Sequence, residues 1–259
     1  PEHLIEYVTA VSGGTPYYLQ GYLCYLHQNH LIFIGYPLVD NPEKLSQAYS
    51  AACERFNPQT ITLVTADLTG LPQGNETQPA DRYYRLKLPL TSLDPAVAYM
   101  VRRAEKELKI EVGQFGREHK KIIKDFIRRQ DLSAAQIHIF KNVSTYMRRS
   151  TSAYLLEARK SGRLVAFSIV DLGSARYAFY QFSFRSAKQM VPGASDLLFN
   201  EMVRLAQSEG KQAINLGLGV SAGIRRFKEK WGGEAFLEHR SVIIQRQPAA
   251  DISKLSKKL

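Results

Sequence analysis

The sequence predicts an α/β (α+β) protein built as two similar halves, each a mixed, mostly antiparallel sheet flanked by helices. Three observations predict it. Short runs rich in aromatic and branched residues alternate with amphipathic stretches of helical period. Residues 16–65 read strand, strand, helix, strand, and residues 163–217 repeat that order at greater length. Between them, Gly70–Ala80 is the strongest loop signal in the chain. A new start near Thr91-Ser-Leu-Asp94-Pro95 places the halves at 1–92 and 93–259. The repeat is one of pattern rather than residue identity, so it suggests an internal duplication.

In the first half, residues 16–27 and 31–36 read as two strands joined around Gln28-Asn29-His30. Pro42–Phe56 reads as a helix capped by Asn41, with Leu45, Tyr49 and Ala52 at helical spacing. Gln59–Thr65 is a strand, and Tyr83–Leu88 alternates like a half-buried one. This first helix begins Asp40-Asn41-Pro42, has no glycine and carries an acid at its mouth. It suits structure rather than anion binding.

In the second half, Asp94-Pro95 caps a helix whose apolar face is Val97, Met100, Val101, Ala104 and Leu108. Ile110–Gly113 is a brief extended piece. Glu118–Arg129 is a helix with Ile122, Ile123, Phe126 and Ile127 inward, while 136–147 shows no clear pattern. Thr151–Arg159, Leu164–Leu172 and Tyr177–Phe184 form an antiparallel meander, its first turn at Lys160–Arg163. Pro192, Gly193 and Ser195 open a helix to Gly210, with Leu198, Met202 and Leu205 on one face. Ala213–Leu218 and Glu234–Ile244 are strands. The tail 249–259 reads as a short basic helix rather than a membrane-docking one.

The net charge is +11, from 35 Lys and Arg against 24 Asp and Glu. This excess favours anionic partners such as phosphates, RNA or a membrane surface. No apolar run approaches the ~18–20 residues that span a bilayer. Cys24 and Cys53 are too few for a disulfide scaffold and read as buried thiols, which fits a cytoplasmic setting. The six histidines show no ligand spacing, so no metal is expected. There is no Gly-x-Ser-x-Gly elbow and no Walker loop; Gly217-Leu-Gly219 does not complete a dinucleotide motif.

A helix opening Gly193-Ala194-Ser195 leaves sterically bare N–H groups that attract phosphate, and Lys188 lies just upstream. The same residues also suit a plain turn, with Ser195 as the cap.

This stretch resembles the donor-binding half of the GNAT acyltransferase superfamily, and within it the Fem-type aminoacyltransferases. The matching residues are Gly193-Ala194-Ser195, Leu197-Leu198, Glu201, Gly210, Asn215-Leu216-Gly217 and Gly223-Ile-Arg-Arg-Phe227-Lys228-Glu-Lys-Trp231-Gly232. Asn215 stands where that branch has Asp, and Trp231 is the aromatic before the last Gly. Tyr99–Lys106, with Arg102 and Arg103, resembles the branch's Arg-rich first helix. The match covers roughly 83–245.

The resemblance implies direct attack of an amine on an acyl group. The donor would be acetyl-CoA or another acyl-CoA; the alternative is an aminoacyl-tRNA, which the +11 charge suits. A non-catalytic module binding an anionic ligand is the third reading. In this scheme Lys188, Gly193, Ala194, Ser195 and Arg226 hold donor phosphates. A backbone N–H of strand 180–184 faces the oxyanion. Tyr180 or Ser221 protonates the leaving group, with Asn215 beside them. Lys228 is the leading single candidate, at phosphate or substrate, unless it merely lies on a solvated helix face. The long helical arm of many Fem enzymes is not visible.

Overall fold

The computed structural model describes residues 1–77 and 79–246. The chain forms two compact units. One comprises Glu2–Asp81 with Leu237 onward, the other Arg82–Phe236.

In the first unit, α1 (Ile5–Ser12) leads into β1 (Thr15–Leu19), β2 (Tyr22–His27) and β3 (His30–Ile34). α2 (Leu45–Phe56), β4 (Thr60–Thr65) and the two-residue β5 (Asn75–Glu76) follow. β1, β2 and β3 are antiparallel neighbours, and β4 lies parallel to β3 after the α2 crossover. The run expected as one strand over 16–27 is itself a hairpin. Gln20 (φ 49°) and Gly21 (φ 89°) both adopt left-handed backbone, the geometry of a two-residue turn. α2 starts at Leu45 rather than Pro42, and Asn41 does not cap it. The Tyr22 hydroxyl donates to the Glu43 carbonyl (3.0 Å), and Lys44 keeps extended backbone. α1 had no sequence signal; Gly13 (φ 69°) ends it.

In the second unit, β6 (Asp81–Lys87) precedes α3 (Pro95–Glu105), β7 (Lys109–Val112), α4 (Arg117–Arg129) and α5 (Ala134–Arg149). Then come β8 (Ala153–Lys160), β9 (Arg163–Asp171), β10 (Tyr177–Arg185), α6 (Ala194–Ser208), β11 (Ala213–Leu218), α7 (Ala222–Lys230) and β12 (Glu234–Gln245). The strand order is β6-β11-β10-β9-β8-β7. Every neighbouring pair is antiparallel except β10 and β11. The expected meander and helices are present, and Asp94 caps α3 by accepting from Ala96 and Val97 amides. α5 fills the stretch without a clear pattern. Its start is a Ser133/Gln136 capping box, each side chain bonded to the other's amide.

Division of the chain does not fall at one point near residue 92. It falls at 81/82 and again at 236/237, because the last strand returns to the first unit. There Arg240–Gln245 pairs antiparallel with Thr65–Thr60 and covers the open edge of β4. The tail 249–259 lies outside the described residues.

The core of the second unit forms around α6, whose Leu197, Leu198, Phe199, Met202, Val203 and Ala206 are all buried. They pack with α3 (Val97, Val101, Ala104) and with Leu156, Val170 and Ala178 on one sheet face. The opposite face is aromatic: Phe182 and Phe184 meet Phe126 of α4 and Phe140 of α5 at 5.3–6.1 Å, and Phe167 lies 5.1 Å from Phe184.

Candidate functional site

β10 and β11 are parallel neighbours only at their beginnings, Tyr177–Phe179 against Ala213–Asn215. Beyond that, each strand also slips against its outer neighbour. β10 bulges between Tyr180 and Phe182, leaving Gln181 without a partner on β9. β11 shifts against β6 between Asn215 and Gly217. Such bulges bend the strands and end the shared ladder, leaving a gap in the backbone pairing past Phe179 and Asn215. The side-chain Nε2 of Gln181 is buried there and has no hydrogen-bond partner.

Asn215, Gly217 and Lys228 shape the β11 side of this gap. Asn215 Oδ1 accepts from the Gly217 amide (2.9 Å), which stabilises the shift in place of a carboxylate role. Gly217 has φ 73°. Lys228 is 3% exposed, so the reading as a solvated helix face is corrected. Its ammonium donates to the carbonyls of Gly217 (2.8 Å) and Leu218 and lies 5.4 Å from the Tyr84 ring centre. The buried charge is thus matched by the chain's own oxygens.

On the α6 side, Tyr180 is stacked on Phe227 (6.3 Å) and meets Phe199 edge-on (5.2 Å). Burial pushes its phenol above the usual range, while the Ser183 and Ser168 hydroxyls pull it back. The group stays protonated at neutral pH. Ser221 is exposed and caps α7, its hydroxyl accepting from the Ile224 amide at 3.3 Å. Arg226 is exposed on the same helix. Between β11 and α7, Val220 holds φ 50°, a strained conformation for a β-branched residue that no sequence pattern announced.

Of the amide cluster at 193–195, expected as a bare cradle, one amide is already engaged. The Ala194 amide is taken by the Val191 carbonyl at 3.2 Å. Gly193 (φ 82°) is pressed on α3: a Cβ there would stand 2.3 Å from the Met100 carbonyl oxygen. Its lack of a side chain serves helix packing. Asp196, in the first turn and 5% exposed, accepts from Trp231 Nε1 (3.0 Å) and pairs with Lys230 (2.6 Å). The positive pole of α6 therefore already faces a carboxylate. The sequence places Asp196 in the first turn of this helix, but its partners, Trp231 and Lys230, lie too far along the chain for the sequence reading to have given it a role in the site. Lys188 is exposed in the loop before α6, near Asp125 of α4.

A shallow pocket of about 220 Å³, lined by Leu90, Leu93, Asp94, Lys230 and Trp231 among others, includes none of the expected donor residues. On the α4 face, His119 (2% exposed) lies 2.9 Å from Glu157 (4%), which also pairs with Arg159 at 2.6 Å. Among the described residues, no three His, Cys, Asp or Glu side chains are grouped to hold a metal ion. No described helix is long and apolar enough to cross a membrane.

No protein-family model matches the chain, and no curated protein is similar to it in sequence. Solved structures are similar in fold. L-PGS from Bacillus licheniformis superposes with a TM-score of 0.62 at 14% identity, over 97% of this chain and 90% of that one. FemX gives 0.61 at 12% identity, over 98% and 92%. A tandem GNAT protein from the clavulanic acid biosynthesis pathway gives 0.53 at 15%, over 88% and 79%. The chain has the GNAT/Fem-like fold.

Proposed function

We propose that this protein transfers an aminoacyl group from an aminoacyl-tRNA to an amine at the gap between β10 and β11. The observation that carries this reading is the break in pairing between β10 and β11 beside a helix mouth that already holds a carboxylate. The strands part where an acyl group can enter, yet the helix mouth beside them holds Asp196 and is packed against Met100. A CoA diphosphate would meet a buried carboxylate there; an RNA ester needs no diphosphate at that point. The likeness to FemX and L-PGS and the +11 charge support the same choice.

In this mechanism the acceptor nitrogen attacks the ester carbonyl directly. A C–N bond forms, the C–O bond to the ribose breaks, and the amine's spare proton passes to water. The bulged Gln181 supplies N–H groups to the developing oxyanion. The neutral Tyr180 phenol gives its proton to the departing ribose oxygen. Asn215 and Lys228 hold the end of β11 in place, and holding donor and acceptor together can supply ~7–11 kcal/mol. Ser221 and Arg226 remain at the rim, away from the reacting bond.

The strand-hairpin, helix and parallel strand of β2-β3-α2-β4 and of β9-β10-α6-β11 are read as two copies of one ancestral unit. The first is a scaffold. An acyl-CoA donor is the second reading, favoured by the exposed Lys188 ahead of α6. Transfer of radiolabelled amino acid from charged tRNA to an added amine supports the first reading. Thermal stabilisation by acetyl-CoA, with no transfer from charged tRNA, selects the second.

A further inference from the structure

α4 carries six Lys and Arg residues against two acids. Its apolar side is spent: Ile122 and Ile123 are buried and Phe126 packs on Phe184. Arg117, Lys120, Lys121 and Lys124 fall at i, i+3, i+4 and i+7, so they share the outer face over about 10 Å of helix axis. All four are exposed. Both acids of the helix are already engaged, Glu118 by Arg159 (3.0 Å) and Asp125 by Arg128. No ion pair neutralises the four cations among the described residues. Lys188, on the loop that leaves β10 for α6, acts on the same Asp125 as Lys121. The stripe thus continues to the loop after the bulged strand, and α4 itself packs on β9 and β10.

We propose that this stripe, Arg117, Lys120, Lys121 and Lys124 with Lys188, docks the sugar–phosphate backbone of the RNA that delivers the aminoacyl group. The inference rests on the aminoacyl-tRNA reading and adds the surface. A row of cations on a straight helix matches the repeated charge of a nucleic-acid strand. A membrane surface fits less well. Interfacial helices sink an apolar face into lipid, and none of the exposed large apolar side chains among the described residues lies on α4 or α5.

The test compares wild type with the triple variant Lys120→Glu, Lys121→Glu, Lys124→Glu. An equal charge change on α3, Arg102→Glu, Arg103→Glu, Lys106→Glu, serves as control, and circular dichroism checks that each variant is folded. Binding of unfractionated tRNA is titrated from 50 to 300 mM KCl, and transfer is assayed from charged tRNA and from an aminoacylated adenosine. The α4 variant is expected to bind at least tenfold more weakly at 50 mM KCl. Its log–log salt slope should be shallower by about 2–3, from roughly 0.7–0.9 per lost phosphate contact. It should still use the aminoacyl-adenosine donor, which reaches past α4. Equal loss in the α3 control means general charge alone and overturns the inference. An unchanged salt slope in the α4 variant overturns it while leaving the transfer reading intact. Binding lost only to phosphatidylglycerol vesicles assigns the stripe to lipid and overturns it too. If wild type neither binds tRNA nor transfers from any charged tRNA, the transfer reading falls and the inference with it.

Discussion

The Lys228 ammonium stands 2.8 Å from the carbonyl oxygen of Gly217 and donates to Leu218 as well, tying α7 to the end of β11. Removing it takes a charged donor from both part-buried carbonyls. Lys228→Met, which keeps the stem, is expected to lower stability by about 1.5–3 kcal/mol, the range for hydrogen bonds to a charged group. Urea denaturation measures this. A variant as stable as wild type but unable to transfer would return Lys228 to direct substrate contact.

Gly193 is held in left-handed backbone with the Met100 carbonyl where a Cβ would lie. Gly193→Ala should therefore cost about 1–3 kcal/mol by strain alone, with the steric contact added. Gly210, also at positive φ but with open space around it, should lose less on the same substitution. Equal losses at the two sites would remove the argument that Gly193 serves the α3–α6 contact.

Tyr180→Phe deletes the proposed proton donor but keeps the ring packed on Phe199 and Phe227. Turnover from charged tRNA is expected to fall by roughly 10²–10⁴-fold with little change in KM. Full turnover in this variant assigns the proton to another group.

His119 accepts the Gly116 amide at Nδ1 (3.0 Å), so its proton sits on Nε2 beside Glu157. Burial lowers its pKa below 6.5, against the opposing pull of Glu157. The unfolded chain therefore binds a proton that the folded chain resists. Stability should rise with pH up to about 6.5 and be lost as pH falls below it, by at most ~1.4 kcal/mol per pH unit for this one group. His119→Gln should flatten that dependence between pH 6.5 and 5. An identical slope in the variant would mean that the other depressed histidines, His3, His30 and His239, account for all of it.

Local chemistry by itself determined much of this protein. The aromatic run of β10, the Pro-Gly start and apolar stripe of α6, and the Asp94-Pro95 cap of α3 each rest on neighbours within a turn or two. All three stand where the residues place them. The Ser133/Gln136 box of α5 and the Gln20-Gly21 turn are equally local, yet the sequence reading ran one strand through the turn and found no clear pattern over α5. Tertiary structure alone decided what those elements face. Asp196 occupies the mouth of α6 because Trp231, 35 residues on, and Lys230 are brought to it. Lys228 turns inward to donate to the carbonyls of Gly217 and Leu218, just past the point where β11 stops pairing with β10. β12 crosses back because the open edge of β4 must be paired. Each of these joins residues far apart in sequence, where periodicity carries no information and only the accounting of buried charge and hydrogen bonds selects the partner.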